Sequence, residues 1–222
     1  MTHPLRIALL SSVIIAVYLI YLPGVGGALY YDDHANLRHL AQLGEGKSLW
    51  DFVFSGEAGP LGRPVALLSF VPHADGWPEN VKSILHVNVL IHVFNMLLLF
   101  ALTRLVLARF DPSDDARNFR VAISAALLWA VLPLLVSTTL IAIQRMAGLA
   151  AFFGLCGLVG FVWGYRFASR SPRAALALQL SALGVGTALA VFAKESGALI
   201  PIFALLIDFL LIRNVNYEVR YR

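Results

Sequence analysis

The chain has 222 residues, of which 59% are hydrophobic and only 14% charged, and its mean hydropathy is +0.77. An ordinary globular domain carries roughly 25% charged residues, so this composition excludes a soluble domain and indicates an integral membrane protein. The net charge is +4. Because Lys and Arg collect on the cytoplasmic side of membranes, the charge of each loop has to be counted separately to predict the topology. A nucleic-acid partner is therefore not expected, and the single cysteine, Cys156, excludes an intramolecular disulfide.

The first predicted membrane span is the apolar run from Leu5 to Leu22. Its length is near the minimum for a helix that crosses a bilayer. A signal peptide cleaved near Gly24 and Gly26 is the alternative, but we favour a retained anchor because the chain that follows is itself polytopic. Residues 1–28 are assigned to this first span.

Residues 29–82 have the composition of a long loop, with seven acidic and four basic residues. This acidic excess favours the non-cytoplasmic side. A short helix from Asp33 to Leu43 and an apolar, aromatic segment from Leu49 to Phe54 predict amphipathic helices that lie on the membrane. A connection of this length between two spans is usually functional.

The second predicted span, Ser83 to Leu107, carries three polar residues on one helical face. Asn88, His92 and Asn95 have the spacing i, i+4, i+7, which stacks them on one side of the helix. Polar groups in hydrocarbon must be satisfied, so we expect this stripe to face a cavity or to bond neighbouring helices. Interhelical bonding is favoured for Asn88 and Asn95, and both a structural and a site role stay open for His92.

The remaining apolar segments predict four further spans and an all-α polytopic membrane protein of about six transmembrane helices. The segments are 121–136, broken by Pro133, 147–167, 174–193 and 197–212. Spans two to six thus occupy residues 83–213, and 214–222 form a tail. This topology places eleven Lys and Arg inside and six outside, with both termini inside. Asp208, near the inner end of the last span, is interpreted as structural, by snorkelling or by pairing with Arg213.

Paired carboxylates follow the first span at Asp32 and Asp33. Like charges a few ångströms apart resist being ionised together, so one member of such a pair is suited to act as a base. The alternative is a helix N-cap, where Asp is common. Both interpretations stay open from these two residues alone.

The predicted topology gathers several charged residues at the outer membrane face. They are Asp32, Asp33, Arg63, Arg145, Lys194 and Glu195. Cations at a membrane interface can bind a lipid phosphate, and a carboxylate can accept a hydroxyl proton. A local ion pair between Lys194 and Glu195 is the structural alternative.

The order of these motifs resembles the N-terminal half of the GT-C membrane glycosyltransferases, and most closely their tetratricopeptide-associated O-mannosyltransferase-like and pilin-glycosylating branches. The resemblance rests on an outer Asp-Asp after the first helix, Gly62-Arg63-Pro64, a helix from His86 to Asn95, an outer Arg145, and Phe192-Ala193-Lys194-Glu195 followed by Pro201. It implies a glycosyltransferase that moves a sugar from a polyprenyl-phosphate donor to a protein or glycan acceptor. It also implies an extracytoplasmic active site, which we expect in a bacterial inner membrane.

The resemblance also implies roles for individual residues. Asp32 or Asp33 would activate the acceptor, with Asp32 preferred. The donor phosphate would be held by Arg63, Arg145 and Lys194, with support from Asn88, His92 and Glu195. No cofactor is certain: a divalent cation is left open, although two Asp with one nearby His do not define a metal site.

Two alternatives to this function remain. A transporter or a lipid-linked sugar flippase would use the polar second span and the outer charges as a pathway, but no internal repeat is visible in the sequence. A non-catalytic, truncated GT-C partner is the other alternative, because GT-C enzymes are generally longer than this chain. Whether residues 1–222 are a fragment is left open.

Overall fold

The computed structural model of this protein describes residues 2–43, 46, 48–57 and 59–213, with side chains up to residue 210. Within these ranges the chain is helical and contains no strand. Ten α-helices in the described part of the chain are named here in order: α1 His3–Tyr21, α2 Tyr31–Leu37, α3 Leu49–Val53, α4 Pro64–Leu68, α5 Val81–Phe110, α6 Asp115–Ala130, α7 Leu134–Leu140, α8 Arg145–Gly164, α9 Pro172–Ala193 and α10 Ile200–Leu206.

Four helices in the described residues are long and apolar enough to cross a membrane: His3–Gly26, Val81–Phe110, Arg145–Phe167 and Pro172–Ala193. A fifth candidate consists of α6 and α7, which are bent by 70° relative to each other. The prediction of an α-helical membrane protein is therefore supported. The count of six spans stays a prediction.

The bend between α6 and α7 lies at Pro133, which has no backbone N–H and cannot continue the helical hydrogen-bond pattern. The carbonyl oxygen of Ala130, at the end of α6, is satisfied by side chains instead. The Tyr21 hydroxyl donates to it at 2.9 Å, and Nε2 of His92 lies at the same distance. The break predicted in the third span is thus confirmed, and helices α1 and α5 stabilise it.

Helix α5 is the centre of the bundle, because α1, α6, α7 and α8 all pack against it. Helices α8 and α9 approach each other closely through glycines. A Cβ atom on Gly186 would lie only 2.7 Å from Cα of Gly157. Small residues that let two backbones come this near are typical of helix pairs in membranes.

The described residues between 27 and 80 form a lobe on the N-terminal end of α5, which we call the outer lobe after its predicted position. The predicted helix from Asp33 to Leu43 is divided into α2 and a 3₁₀ turn, Arg38–Gln42. Fully buried apolar side chains of the lobe, among them Leu37, Phe52 and Phe70, belong to one core with those of the spans. The lobe is therefore anchored to the helix bundle by a shared core.

The segment predicted as the last span, 197–212, contains a 3₁₀ turn at Glu195–Leu199, α10, and a π-helix at Ile207–Arg213. Asp208 accepts a hydrogen bond from the Tyr165 hydroxyl, which agrees with a structural role. Its proposed pairing with the Arg213 side chain, and the predicted tail 214–222, lie outside the described residues.

Candidate functional site

The two adjacent acids at the start of α2 have different environments. Asp33 is fully buried. Its Oδ2 accepts from the backbone N–H of Tyr30 at 2.8 Å, and its Oδ1 accepts from the backbone N–H of Ile143 at 2.7 Å. The first bond closes the N-terminus of α2, and the second ties α2 to the turn before α8. This geometry favours a structural role for Asp33.

Asp32 is exposed in the first turn of α2. Its carboxylate makes no hydrogen bond or salt bridge with any of the described residues, and only its backbone carbonyl is used, by Asn36. The anchored Asp33 fixes the helix start and thereby the position of Asp32. Of the two predicted bases, Asp32 is the one whose carboxylate can reach a ligand.

An open pocket of about 210 Å³ lies next to this helix and is lined by Ala35, Asn36, Arg38, His39, Ser55 and Glu57. Asn36 is one turn after Asp32 and therefore lies on the same side of α2. Arg38 and Glu57 approach each other to 3.6 Å. Amide, hydroxyl and charged groups of this kind can bond the hydroxyls of a sugar.

Arg145 lies inside the protein instead of at its outer surface, with 1% of its area exposed. Its Nε donates to the side-chain oxygen of Asn88 at 2.7 Å, and its Nη1 and Nη2 donate to the carbonyls of Ser69 and Ile84 at 2.7 and 2.8 Å. The guanidinium also stacks over Phe70, 4.2 Å from the ring centre. Buried and bonded in this way, Arg145 joins the outer lobe to α5 and has no free surface for a lipid phosphate.

The predicted polar stripe on α5 bonds to α6, to α8 and to the turn between α7 and α8. The Nδ2 atoms of Asn88 and Asn95 donate to the carbonyls of Ala142 and Gly148 at 3.2 and 2.9 Å, and His92 bonds Ala130. The prediction of interhelical bonding for Asn88 and Asn95 is confirmed. For His92 the structure adds ring contacts with Tyr21 and Trp129.

Arg63 and Glu195 meet across 132 positions of the sequence. Nε of Arg63 lies 3.2 and 3.1 Å from the two carboxylate oxygens, and Nη2 lies 2.9 Å from Oε2. The loop that carries Arg63 closes over this pair, because a Cβ on Gly59 would collide with the Glu195 carboxylate. Glu195 therefore pairs with Arg63, not with its neighbour in sequence.

Lys194 follows α9 directly, and its backbone N–H donates to the carbonyl of Ala190. Its side chain makes no hydrogen bond or salt bridge with a described residue. It is half-buried. Together with Arg63 and Glu195 it forms a cluster of two cations and one anion, so one positive charge remains uncompensated.

The pKa values of two groups outside the spans are shifted. The hydrogen bond from Arg63 lowers the pKa of Glu195 below its ordinary value. Burial, followed by the charge of Arg145, lowers the pKa of His73. The Glu195 shift thus follows mainly from its contact with an arginine, whereas the His73 shift follows first from burial.

Residues 143–146, which include the end of the turn before α8 and the first two residues of α8, connect most of the predicted site residues. Ile143 bonds Asp33, Arg145 bonds Asn88, and Met146 contacts Nη1 of Arg63. These contacts bring Asp33, Arg63 and Arg145 together around one segment, and Glu195 joins them through Arg63. Their position at the outer membrane face stays a prediction. Sequence reasoning missed His73, which lies 3.4 Å from Nη2 of Arg145; nothing in its sequence context signals this contact.

Among the described residues, no group of three or more His, Cys, Asp or Glu is placed to hold a metal ion. Comparisons with known proteins found no matching family model, no matching curated protein and no matching solved structure. The function is therefore argued from the residues of this chain.

Proposed function

We propose that this protein is a membrane glycosyltransferase that moves a sugar from a polyprenyl-phosphate donor to a protein or glycan acceptor on the extracytoplasmic face, in a bacterial inner membrane crossed by six spans. The proposal rests on one observation, the different environments of Asp32 and Asp33. One carboxylate is buried and holds the helix start, while the other is exposed beside an open polar pocket. A positioned, accessible carboxylate is what removal of an acceptor proton needs.

The cluster of Arg63, Lys194 and Glu195 supplies the second part of the proposal. Its uncompensated positive charge lies at the end of α9, where a candidate span stops. A cation there can attract the phosphate of a membrane lipid and stabilise negative charge on the leaving phosphate. Arg63 and Lys194 are thus the donor-binding residues of the proposal, and Arg145 supports them indirectly by holding the lobe in place.

The test is a sugar-transfer assay with the protein expressed in its natural reading frame. Membranes that contain the parent protein, Asp32→Asn or the matched control Asp75→Asn are mixed with labelled mannose linked to polyprenyl phosphate as the donor. Membranes from cells that lack the protein are added to supply the acceptor. Asp75 is an exposed acid of the same lobe, so its replacement controls for loss of a surface charge.

We expect Asp32→Asn to reduce transfer by about 10²- to 10⁴-fold, the usual cost of removing a catalytic base, and Asp75→Asn to leave it unchanged. Transfer at the parental rate by Asp32→Asn, at equal membrane abundance, would rule out this residue as the base. Replacing Lys194 with Ala is expected to raise the donor concentration needed for half-maximal transfer. An effect of Lys194→Ala on abundance alone would exclude its role in donor binding.

A further inference from the structure

A cavity of about 210 Å³ lies beside the bend between α6 and α7 and is bounded by α5, α6, α7 and α8. Its lining includes Asn95, His92, Thr138 and Arg145 together with apolar side chains such as Ile91. Asp32, Arg63 and Lys194, the residues proposed to contact the donor or the acceptor, do not border it. The cavity therefore calls for an explanation of its own.

Asn95 provides the strongest sign that the cavity takes a ligand. Only 2% of the residue is exposed, and its Oδ1 has no hydrogen-bond partner among the described residues. The assignment of its amide atoms is fixed by Gly148, whose carbonyl only accepts and therefore faces Nδ2. An acceptor left without a donor in an apolar interior costs about 1–3 kcal/mol, so a ligand that donates to Oδ1 would be favoured.

His92 adds a second acceptor to the lining. Its Nε2 faces the Ala130 carbonyl, which can only accept, so the neutral ring carries its proton on Nε2 and a lone pair on Nδ1. Thr138 contributes a hydroxyl. The polar groups around the cavity thus favour a ligand that donates hydrogen bonds.

The charge of the lining restricts the ligand further. Arg145 borders the cavity, and its hydrogen-bond partners Asn88, Ser69 and Ile84 are uncharged. Its positive charge is therefore not cancelled by them, which disfavours a cationic ligand. The acceptor atoms of Asn95 and His92 disfavour an anion. An uncharged O–H donor satisfies both conditions.

The size of the cavity and the apolar side chains in its wall indicate what kind of molecule carries the O–H group. A single water needs only about 10–15 Å³ of such a volume, so the cavity has room for a larger molecule. Much of its wall is apolar, including Leu135, Ala147 and Ala151. We propose that the cavity binds an uncharged alcohol with a hydrocarbon body, such as a membrane lipid with a free hydroxyl, and that the hydroxyl donates to Oδ1 of Asn95.

The experiment uses the purified protein in detergent and an aliphatic alcohol that carries a photoreactive diazirine on its chain. Mass spectrometry maps the adducts after illumination. We expect them to be concentrated on the cavity residues Thr138, Ala147 and Ala151, and to be suppressed by excess octanol but not by its methyl ether. The ether has the same body and no O–H, so equal competition by both would contradict the hydroxyl recognition.

Three variants complete the test. Asn95→Leu removes the acceptor and Ala151→Leu fills the cavity while keeping Asn95, so each is expected to reduce cavity adducts by roughly tenfold. Gln179→Leu is the matched control, because Gln179 bonds the Phe161 carbonyl on another pair of helices. If Asn95→Leu fails to fold, Ala151→Leu still decides the matter.

Adducts spread over lipid-facing helices and unchanged in both cavity variants would overturn the proposal. A cavity that takes up no alcohol, and so holds water only, would also overturn it. The assay contains no sugar donor or acceptor. Its outcome is therefore independent of whether the protein transfers sugar.

Discussion

Arg145 donates from Nε to the side-chain oxygen of Asn88 at 2.7 Å, although the two residues are 57 positions apart. This bond connects the polar stripe of α5 to the first residue of α8. The other guanidinium nitrogens extend the connection to carbonyls of Ser69 and Ile84. A cation expected from sequence at the outer surface thus holds three parts of the fold together.

Arg145→Lys should therefore reduce the stability of the protein, even though the charge is retained. Lysine has one nitrogen and cannot reproduce bonds made by three nitrogens of a planar group. Leaving buried acceptors unpaired costs about 1–3 kcal/mol each. Because lysine can still bond one of the three acceptors, a loss of at least about 2 kcal/mol is expected. Thermal unfolding of the purified protein measures it, with Arg38→Lys at an exposed position as control. An unchanged melting temperature would contradict the structural role of Arg145.

Much of the helical organisation could be predicted from the sequence. Long apolar runs and Pro133 predicted the candidate spans and the break between α6 and α7, because length and a missing N–H act locally. The period of Asn88, His92 and Asn95 predicted a common face for the same reason. These features can be predicted without knowing which helices are neighbours in the fold.

The different roles of Asp32 and Asp33 could not be predicted, because they depend on a contact with Ile143, 110 positions away. The same holds for Glu195, whose neighbour in sequence is a lysine but whose partner is Arg63. Counts of charged residues predicted that these side chains share one membrane face, and that position stays a prediction. They could not distinguish an exposed carboxylate from one that holds two backbone N–H groups.

Asp33→Asn is expected to destabilise the protein, whereas Asp32→Asn is not. Asp33 accepts with both oxygens, and an amide would face one of the two backbone N–H groups with its own NH₂. The predicted loss is about 1–3 kcal/mol for Asp33→Asn, compared with less than about 0.5 kcal/mol at exposed Asp32. Melting temperatures of the two variants, measured side by side, provide the comparison; equal values would contradict the assigned division of roles.

Acidification below the ordinary His pKa of 6.5 should weaken the outer lobe through His73, whose pKa is lowered in the fold. The unfolded chain takes up this proton more readily, so stability is retained above 6.5 and falls as the pH drops toward the folded pKa. Protonated His73 would also present an N–H to Arg145, which lies 3.4 Å from its Nε2. The melting temperature of His73→Gln should depend less on pH than that of the parent between about pH 8 and about pH 5. Parallel curves would exclude His73 as the titrating group.

The pairing of Arg63 with Glu195 predicts a second, more acidic transition. Because this bond lowers the pKa of Glu195 below 4.5, its stabilisation is complete above that value and is lost as the pH falls through the folded pKa. Glu195→Gln and Arg63→Gln should each remove this contribution, and the double variant should resemble either single one. Melting temperatures between about pH 6 and about pH 3 test it. Additive effects of the two substitutions would show that the side chains are not coupled.

Membrane topology provides the last prediction, since the proposed function requires the lobe 27–80 outside the cytoplasm. Glu57→Cys and Ser113→Cys place a thiol at an exposed position in the outer lobe and in the loop between α5 and α6. In a Cys156→Ala background, an impermeant maleimide should label the first in cells whose outer membrane alone is permeable. The thiol of Ser113→Cys should react only after the inner membrane is lysed. Its loop is flanked by arginines, which are expected on the cytoplasmic side. The reverse pattern would place Asp32, Arg63 and Lys194 in the cytoplasm, where a donor presented on the extracytoplasmic face could not reach them.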